Sequence, residues 1–139
     1  MKHRILFLLD RTPERPVLEV LLDALAEANR LWYLEQWKAR RDPPASAREA
    51  GVRWRPDRPD VQAVFEDAPT VFSQGVASCG PIAAITVGHA RARDQLDGFS
   101  IEAAQVQSRV VLRSQMPGVW HALAQLGTTM VDPTKGMKR

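Results

Sequence analysis

The chain of 139 residues contains 45% hydrophobic and 25% charged residues, the composition of a globular domain large enough to bury a core without disulfides. Its single cysteine excludes an intramolecular disulfide framework and a cysteine-based zinc cluster. The net charge of +3 is spread in pairs such as Arg40-Arg41, without the basic, aromatic-rich stripe typical of nucleic-acid binders. We therefore expect one domain over residues 1–139 and no specific nucleic-acid contact.

The first predicted element follows a basic start. Ile5–Leu9 is an apolar run of five residues that Asp10 and Arg11 close. This run is too short for the hydrophobic region of a signal peptide and for a membrane span. We expect a buried strand or a first helical turn in the N-terminal segment, residues 1–15, with neither secretion through a signal peptide nor a membrane span.

A helix is predicted over residues 16–39, because Pro16 suits a first helical turn and apolar residues then recur with the helical period. The predicted buried face consists of Leu18, Leu21, Leu22, Leu25, Ala28, Leu31 and Trp32. Asn29 and Arg30 are predicted to lie off this face. We expect the aromatic side chains near the end of the helix to serve packing rather than ligand binding.

The next stretch is interrupted by prolines at 43, 44, 56 and 59, which exclude a continuous helix or a central strand. We predict a wrapping loop over residues 41–60 with a short edge strand near 51–55, where Val52 and Trp54 alternate with arginines. A short helix is predicted over residues 60–67, with Val61, Val64 and Phe65 inward. A loop or short helix, with Gly75 as its flexible point, should occupy residues 70–78.

The lone cysteine lies in the stretch VASCGPIAAI, where small residues lead into an apolar run. Ser78 is predicted to be the N-cap of a helix from Cys79 to about Arg93, with Pro81 in the first turn. The positive end of a helix dipole favours a thiolate. Cys79 is therefore a candidate nucleophile, and the alternative is that it is a small buried hydrophobic residue.

A strand in the second half of residues 101–112 and a hairpin are predicted next, the hairpin made of Val119–Leu126, a turn at Gly127 and Thr128–Val131. If the turn is centred between residues 126 and 127, His121 and Asp132 face each other across the ladder. The carboxylate could then fix the imidazole tautomer, whereas a register slip of one residue would separate the two side chains. The alternative is a strand histidine and a turn-forming aspartate.

Two other histidines could in principle serve the thiol as a base. His89 lies ten residues along the same predicted helix, roughly 15 Å from Cys79 at 1.5 Å per residue, so it is expected at the surface or packed against a helix. His3 lies beside the start of the chain and has no orienting partner nearby in sequence. His121 is therefore the candidate base.

The order of Cys79, His121 and Asp132 resembles the transglutaminase-like branch of the papain-like cysteine enzymes. The separations, 42 and 11 residues, are similar to that branch and shorter than in papain itself. From Leu21 onward, the chain resembles small transglutaminase-like proteins of tailed bacteriophages and prophages. Three blocks carry this resemblance: LLDALAEANRLWYL, GVRWRPDRPDVQAVFEDAPTVFSQGVASCGPIAA and VWHALAQLGTTMVDPTKGM, of which GVRW and VDPTKGM are the most specific parts.

The resemblance implies an α+β, papain-like fold in which the helix of Cys79 packs on a small antiparallel sheet. It implies Cys79 as nucleophile, His121 as general base and Asp132 as orienting residue. The implied activity is hydrolysis or acyl transfer at an amide bond of a protein or peptide, without a metal or organic cofactor, in the host cytoplasm during phage production. The alternative is a virion structural or assembly protein, a tail or head adaptor that retains the fold and docks to virion proteins.

The chain departs from the family pattern around the cysteine. Residues 78–83 read SCGPIA, where such proteins commonly have Asp-Cys-Glu-Asp-Leu-Ala. The missing carboxylates alter the charge near the thiol and the expected substrate choice, but they leave the nucleophile in place. Gln74, five residues before Cys79, is a candidate oxyanion-hole residue, since papain-like proteases carry a glutamine six residues before theirs. The backbone N–H of Cys79 is another candidate donor.

Overall fold

The computed structural model describes residues 4–8, 15–56, 62–116 and 119–139. These residues form helices and small sheets, so the protein has an α+β fold. The helices are α1 (Arg15–Lys38), α2 (Ala68–Gln74), α3 (Cys79–Leu96) and α4 (Ile101–Gln107), and the strands are β1 (Arg4–Leu8), β2 (Arg53–Trp54), β3 (Gln62–Glu66), β4 (Val76–Ala77), β5 (Ser108–Met116), β6 (Val119–Leu126) and β7 (Thr129–Val131).

Helix α1 begins and ends within one residue of its predicted limits, but its buried face includes polar residues. Leu22 and Leu25 are buried as predicted, whereas Leu31 is 57% exposed. The prediction that Asn29 and Arg30 lie off the buried face is wrong, because both side chains are buried. The buried residues of α1 still recur with the helical period, but at Asn29 and Arg30, where α1 meets α2 and α3, they are polar.

Hydrogen bonds explain why these two polar side chains are buried. The Asn29 Oδ1 atom accepts a hydrogen bond from the backbone N–H of Ala68, at 2.8 Å, and so satisfies a donor at the start of α2. Arg30 donates to Gln95 on α3 at 2.7 Å and forms an ion pair with Glu27. A buried polar group with such partners costs far less than one without them, so the hydrophobic period alone cannot locate this face.

The predicted short helix over residues 60–67 is wrong. Residues 62–66 form β3, which pairs antiparallel with β1, while residues 60 and 61 lie outside the described residues. A run of five residues is too short for its periodicity to distinguish helix from strand, and pairing with β1, more than 50 residues away, decides the outcome. The helix begins later, at Ala68, with Asp67 as its N-cap and Gly75 as its left-handed C-cap at φ 76°.

Helix α3 and the three-stranded sheet form the part of the fold that carries the candidate site. Strands β5, β6 and β7 form an antiparallel meander with β6 in the centre. Helix α3 packs on β6 and on α1, and it runs to Leu96, three residues beyond its predicted end. Ile82, Ile85 and Val87 are buried as predicted. The arrangement of the cysteine helix against a small antiparallel sheet therefore agrees with the expectation.

The buried apolar side chains form two clusters, each of which includes residues of α1 and α3. The first, the sheet-side core, lies between these helices and the sheet and includes Leu22, Leu25, Val87, Ala122 and Ala124. The second lies on the opposite side of α3 and contains Tyr33, Ile82 and Ile85, with Trp32, Trp37 and Trp54 packed against it. The predicted packing role of the aromatic end of α1 is thus observed, with Tyr33 fully buried.

The segment after β7, residues 132–139, crosses from the sheet to β2. The backbone N–H of Trp54 donates to the carbonyl of Lys138 at 2.8 Å, and Arg53 donates twice to the carbonyl of Arg139. The Arg139 guanidinium lies 4.3 Å from the centre of the Trp54 ring. Within the described ranges, no helix is both long enough and apolar enough to cross a membrane.

Candidate functional site

The site begins with a side-chain pair on the sheet. The Nε2 atom of His121, on β6, lies 3.0 Å from the Oδ2 atom of Asp132, the residue that follows β7. The imidazole is 16% exposed and the carboxylate 35%, so the pair lies at the surface but is largely shielded. The structure thus brings together two of the three residues that the sequence indicated as catalytic.

The pair forms although the hairpin register differs from the predicted one. Leu126 pairs with Thr129 and Gln125 with Met130, so the turn is centred between Gly127 and Thr128. In this register Asp132 is level with Leu123 and diagonal to His121. The difference is two residues, which keeps Asp132 on the same sheet face as His121, whereas a shift of one would have reversed it. Diagonal neighbours on one face remain within reach of long side chains.

Thr134 holds the other oxygen of the Asp132 carboxylate. The Oδ1 atom accepts hydrogen bonds from the backbone N–H of Thr134 at 3.0 Å and from its hydroxyl at 2.7 Å. Burial alone would raise the pKa of Asp132, but the hydrogen bonds from Thr134 and His121 outweigh it and lower the pKa below its ordinary value. The carboxylate is therefore ionised at neutral pH and fixed in orientation towards the imidazole.

Sequence reasoning did not assign this role to Thr134. The signal was present in VDPT, since an aspartate two residues before a threonine can accept hydrogen bonds from that residue's backbone and hydroxyl. Thr134 is buried, which is consistent with a structural contact and not with solvent exposure. The Asp-Pro-Thr ending is therefore a turn that orients a carboxylate.

Cys79 is the first residue of α3 and is partly buried. Ser78 occupies the predicted N-cap position with an extended backbone, but its side chain makes no capping hydrogen bond. Because the first backbone N–H groups of a helix have no partner within it, the positive end of α3 lies beside the thiol. The backbone N–H of Cys79 belongs to this end, where a developing oxyanion could be bound.

The start of α3 and His121 lie towards the same end of the layer that α3 and β6 form. Near the other end of both elements, Arg91 of α3 donates to the carbonyl of Ser108 at 2.7 Å, and Ser108 pairs with Leu126 of β6. From Arg91 back to Cys79 the helix covers about 18 Å, and from Leu126 back to His121 the strand covers about 17 Å. Since α3 packs along β6, Cys79 and His121 lie at the same end of this layer.

Cys79 and His121 are associated with opposite faces of β6. Trp120, Ala122 and Ala124 belong to or border the sheet-side core, and Cys79 packs against that same core. Side chains alternate along a strand, so His121 projects from the opposite face of β6. Cys79 and His121 therefore lie towards the same end of the sheet, but the core contact of Cys79 is on the face of β6 opposite to the imidazole.

Two further residues considered from the sequence are Gln74 and His89. Gln74 is the last residue of α2 and has an exposed side chain, with Gly75 and β4 between it and Cys79. His89 packs edge-on against Tyr33 and Trp37, at ring-centre distances of 5.0 and 5.5 Å, in agreement with the expected helix-packing role. Among the residues that the structure describes, no three His, Cys, Asp or Glu side chains cluster as metal ligands would.

The geometry of the pair determines the chemistry that it can perform. Because Nε2 of His121 is engaged by Asp132, the tautomer with a proton on Nε2 is favoured and Nδ1 is left as the proton acceptor. A carboxylate on one nitrogen also stabilises the cation that forms when the other nitrogen takes a proton. The pair can therefore act as a general base.

Comparison of the chain with protein-family models, with curated proteins and with solved structures finds no match in any of the three.

Proposed function

We propose that the protein is a cysteine hydrolase that cleaves an amide bond of a protein or peptide, with a transglutaminase-like, papain-like arrangement of Cys79, His121 and Asp132. The observation that carries this proposal is the His121–Asp132 pair at 3.0 Å, whose carboxylate is held by Thr134. A hydrogen-bonded turn that orients a carboxylate towards an imidazole is more than a strand histidine needs for stability. The position of Cys79 at the start of α3 provides the third member.

The proposed reaction requires the thiol of Cys79, at the start of α3, to meet Nδ1 of His121 beyond the start of β6. Nδ1 then takes the proton of the thiol, and the sulfur attacks the carbonyl carbon of the amide. The proton then passes from His121 to the leaving amine as the C–N bond breaks and a thioester forms. Water, deprotonated by the same imidazole, attacks the thioester and releases a carboxylic acid and the free thiol. The N–H groups at the start of α3 would bind the negative oxygen of each tetrahedral intermediate.

Hydrolysis is favoured over transfer to an amine because, within the part of the chain that the structure describes, no amine-binding site is indicated beside Cys79. The test is incubation of the purified protein with a mixture of denatured protein substrates, with and without a primary amine, followed by mass spectrometry. We expect new peptide termini with wild-type protein and none with Cys79→Ala, and water rather than the amine should be the main acceptor. Turnover that persists in Cys79→Ala would rule out the proposed nucleophile.

A second candidate function is that of a phage virion structural or assembly protein, a tail or head adaptor. The alternation along β6 favours it, because the imidazole and the core contact of Cys79 lie on different faces of the strand. In that case the His121–Asp132 pair would hold the end of β7 against β6 and the thiol would fill the core. Stoichiometric copurification with virion proteins, together with absence of any cleavage product, is the result that this function predicts.

A further inference from the structure

A pocket of about 320 Å³ lies between the end of α1, the loop after it and the middle of α3. Its walls include Trp37, Asp42, Pro43, Glu49, His89 and Arg93. The volume is at the lower end of the range in which proteins bind small molecules. His89 lies ten residues along α3 from Cys79, roughly 15 Å away, so this pocket is separate from the candidate catalytic site.

The loop that forms one wall is held in place by side chains. The Tyr33 hydroxyl donates a hydrogen bond to the carbonyl of Pro44. The Glu49 carboxylate accepts a hydrogen bond from the backbone N–H of Ala45 at 2.8 Å. These contacts fix the loop before any ligand arrives, and a preformed pocket loses less conformational entropy on binding.

The charges of the pocket are separated between its walls. Asp42 and Glu49 lie on the loop side, while Arg93 lies on α3, one helical turn after His89. Burial lowers the pKa of His89, Arg93 lowers it further and Glu49 partly opposes this. The imidazole is therefore neutral at pH 7, which leaves one positive wall and one negative wall, with Trp37 and Pro43 among the apolar lining residues.

We propose that this pocket binds a zwitterionic ligand of the size of one free amino acid. Arg93 would hold its carboxylate, Asp42 and Glu49 its ammonium group, and its apolar side chain would lie on Trp37 and Pro43. A purely anionic ligand would face two uncompensated carboxylates, and a purely cationic ligand would face the guanidinium. A zwitterion satisfies both walls, and the neutral imidazole of His89 can donate to its carboxylate.

The test compares amino acids with derivatives that each lack one of the two charged groups, by calorimetric titration at neutral pH. L-leucine and L-phenylalanine are the zwitterions, their amides lack the carboxylate, and their N-acetyl derivatives lack the ammonium group. We expect the zwitterions to bind about tenfold more tightly than either derivative, as the loss of a charged hydrogen bond predicts. Equal affinity for the three forms, or no binding of either amino acid at millimolar concentration, would overturn the proposal.

Matched variants test which residues bind the carboxylate and the ammonium group of the ligand. Arg93→Gln should remove the preference for the amino acid over its amide. Glu49→Gln should reduce the preference over the N-acetyl derivative, since Asp42 remains. The glutamine at 49 retains an oxygen that can accept from Ala45, so the loop should keep its conformation, which circular dichroism checks. Arg113→Gln, an exposed arginine on β5, is the control and should change neither preference. If Arg93→Gln retained both preferences, the assigned carboxylate contact would be wrong.

Discussion

Thr134 acts on the candidate site through the carboxylate that it holds. Removal of its hydroxyl in Thr134→Val deletes the 2.7 Å hydrogen bond to Asp132 and should raise the pKa of that carboxyl. The cost in the free energy of unfolding at pH 7 should be about 0.5–1.5 kcal/mol. Carbon-detected NMR titration of the Asp132 carboxyl and urea denaturation measure the two effects.

The sign of the pH effect follows from the lowered pKa of Asp132. A carboxyl whose pKa is lower in the folded state stabilises the fold above its unfolded pKa of about 3.8, and that stabilisation is lost as the pH falls through the folded value. Thr134→Val should therefore show less of this loss in acid than the wild type. Thr129→Val, an exposed threonine on β7, is the matched control. An unchanged Asp132 titration in Thr134→Val would contradict the orienting role.

His89 gives a second pH dependence, in a different range. Its pKa is lowered chiefly by burial, so the unfolded chain takes up a proton more readily than the folded protein below about pH 6.5. Stability should therefore fall as the pH decreases from 7 towards 5. His89→Phe, which keeps a ring against Tyr33 and Trp37, should flatten this part of the curve in denaturant titrations. Parallel curves for the two proteins would show that His89 does not contribute.

At the scale of the elements, the crossing of α1 and α3 depends on Gly88. A Cβ atom there would lie 2.5 Å from the Cβ of Asn29 and 2.8 Å from the carbonyl oxygen of Ala26. Because backbone cannot move aside as a side chain can, Gly88→Ala should destabilise the protein by about 1–3 kcal/mol or more. This is the opposite sign to the usual stabilisation when alanine replaces glycine within a helix.

Gly80→Ala is the matched comparison for Gly88→Ala, since both glycines lie in α3. The nearest atom to a Cβ at Gly80 is a terminal methyl of Leu22 at 3.0 Å, which can rotate away. Urea denaturation should therefore show a much smaller loss for Gly80→Ala than for Gly88→Ala. Similar losses in the two variants would mean that the close approach of α1 and α3 does not determine the cost.

The elements show what local sequence could and could not predict. Helices α1 and α3 have recognisable first turns followed by apolar residues, and strand β6 is an apolar run that ends at the turn of Gly127. The limits of these three elements are close to those predicted. Strand β3 was mistaken for a helix because its partner β1 is distant in the chain. The burial of Asn29 depends on the start of α2, which no local pattern in α1 contains. For the site, the sequence indicated the His121–Asp132 pair, but not the register that forms it or the part of Thr134.

At the scale of the whole molecule, residues 132–139 connect the sheet to β2. Deletion of Lys138 and Arg139 removes the hydrogen bond accepted from Trp54 and the cation–π contact with its ring. Each is worth about 0.5–1.5 kcal/mol, so the melting temperature should fall by several degrees. Thermal unfolding followed by circular dichroism measures this, with Lys135→Ala as a control that retains Lys138 and Arg139. An unchanged melting temperature would show that this end of the segment does not stabilise the fold.

The proposed enzyme depends on whether the Cys79 thiol is activated by His121. Because the chain has one cysteine, the rate of iodoacetamide alkylation reports on Cys79 alone. With an engaged imidazole, the rate–pH profile of the wild type should rise with a midpoint well below the ordinary thiol pKa of about 8.5, and His121→Ala should move that midpoint upward. A wild-type profile that matches a free cysteine and coincides with that of His121→Ala would contradict the account.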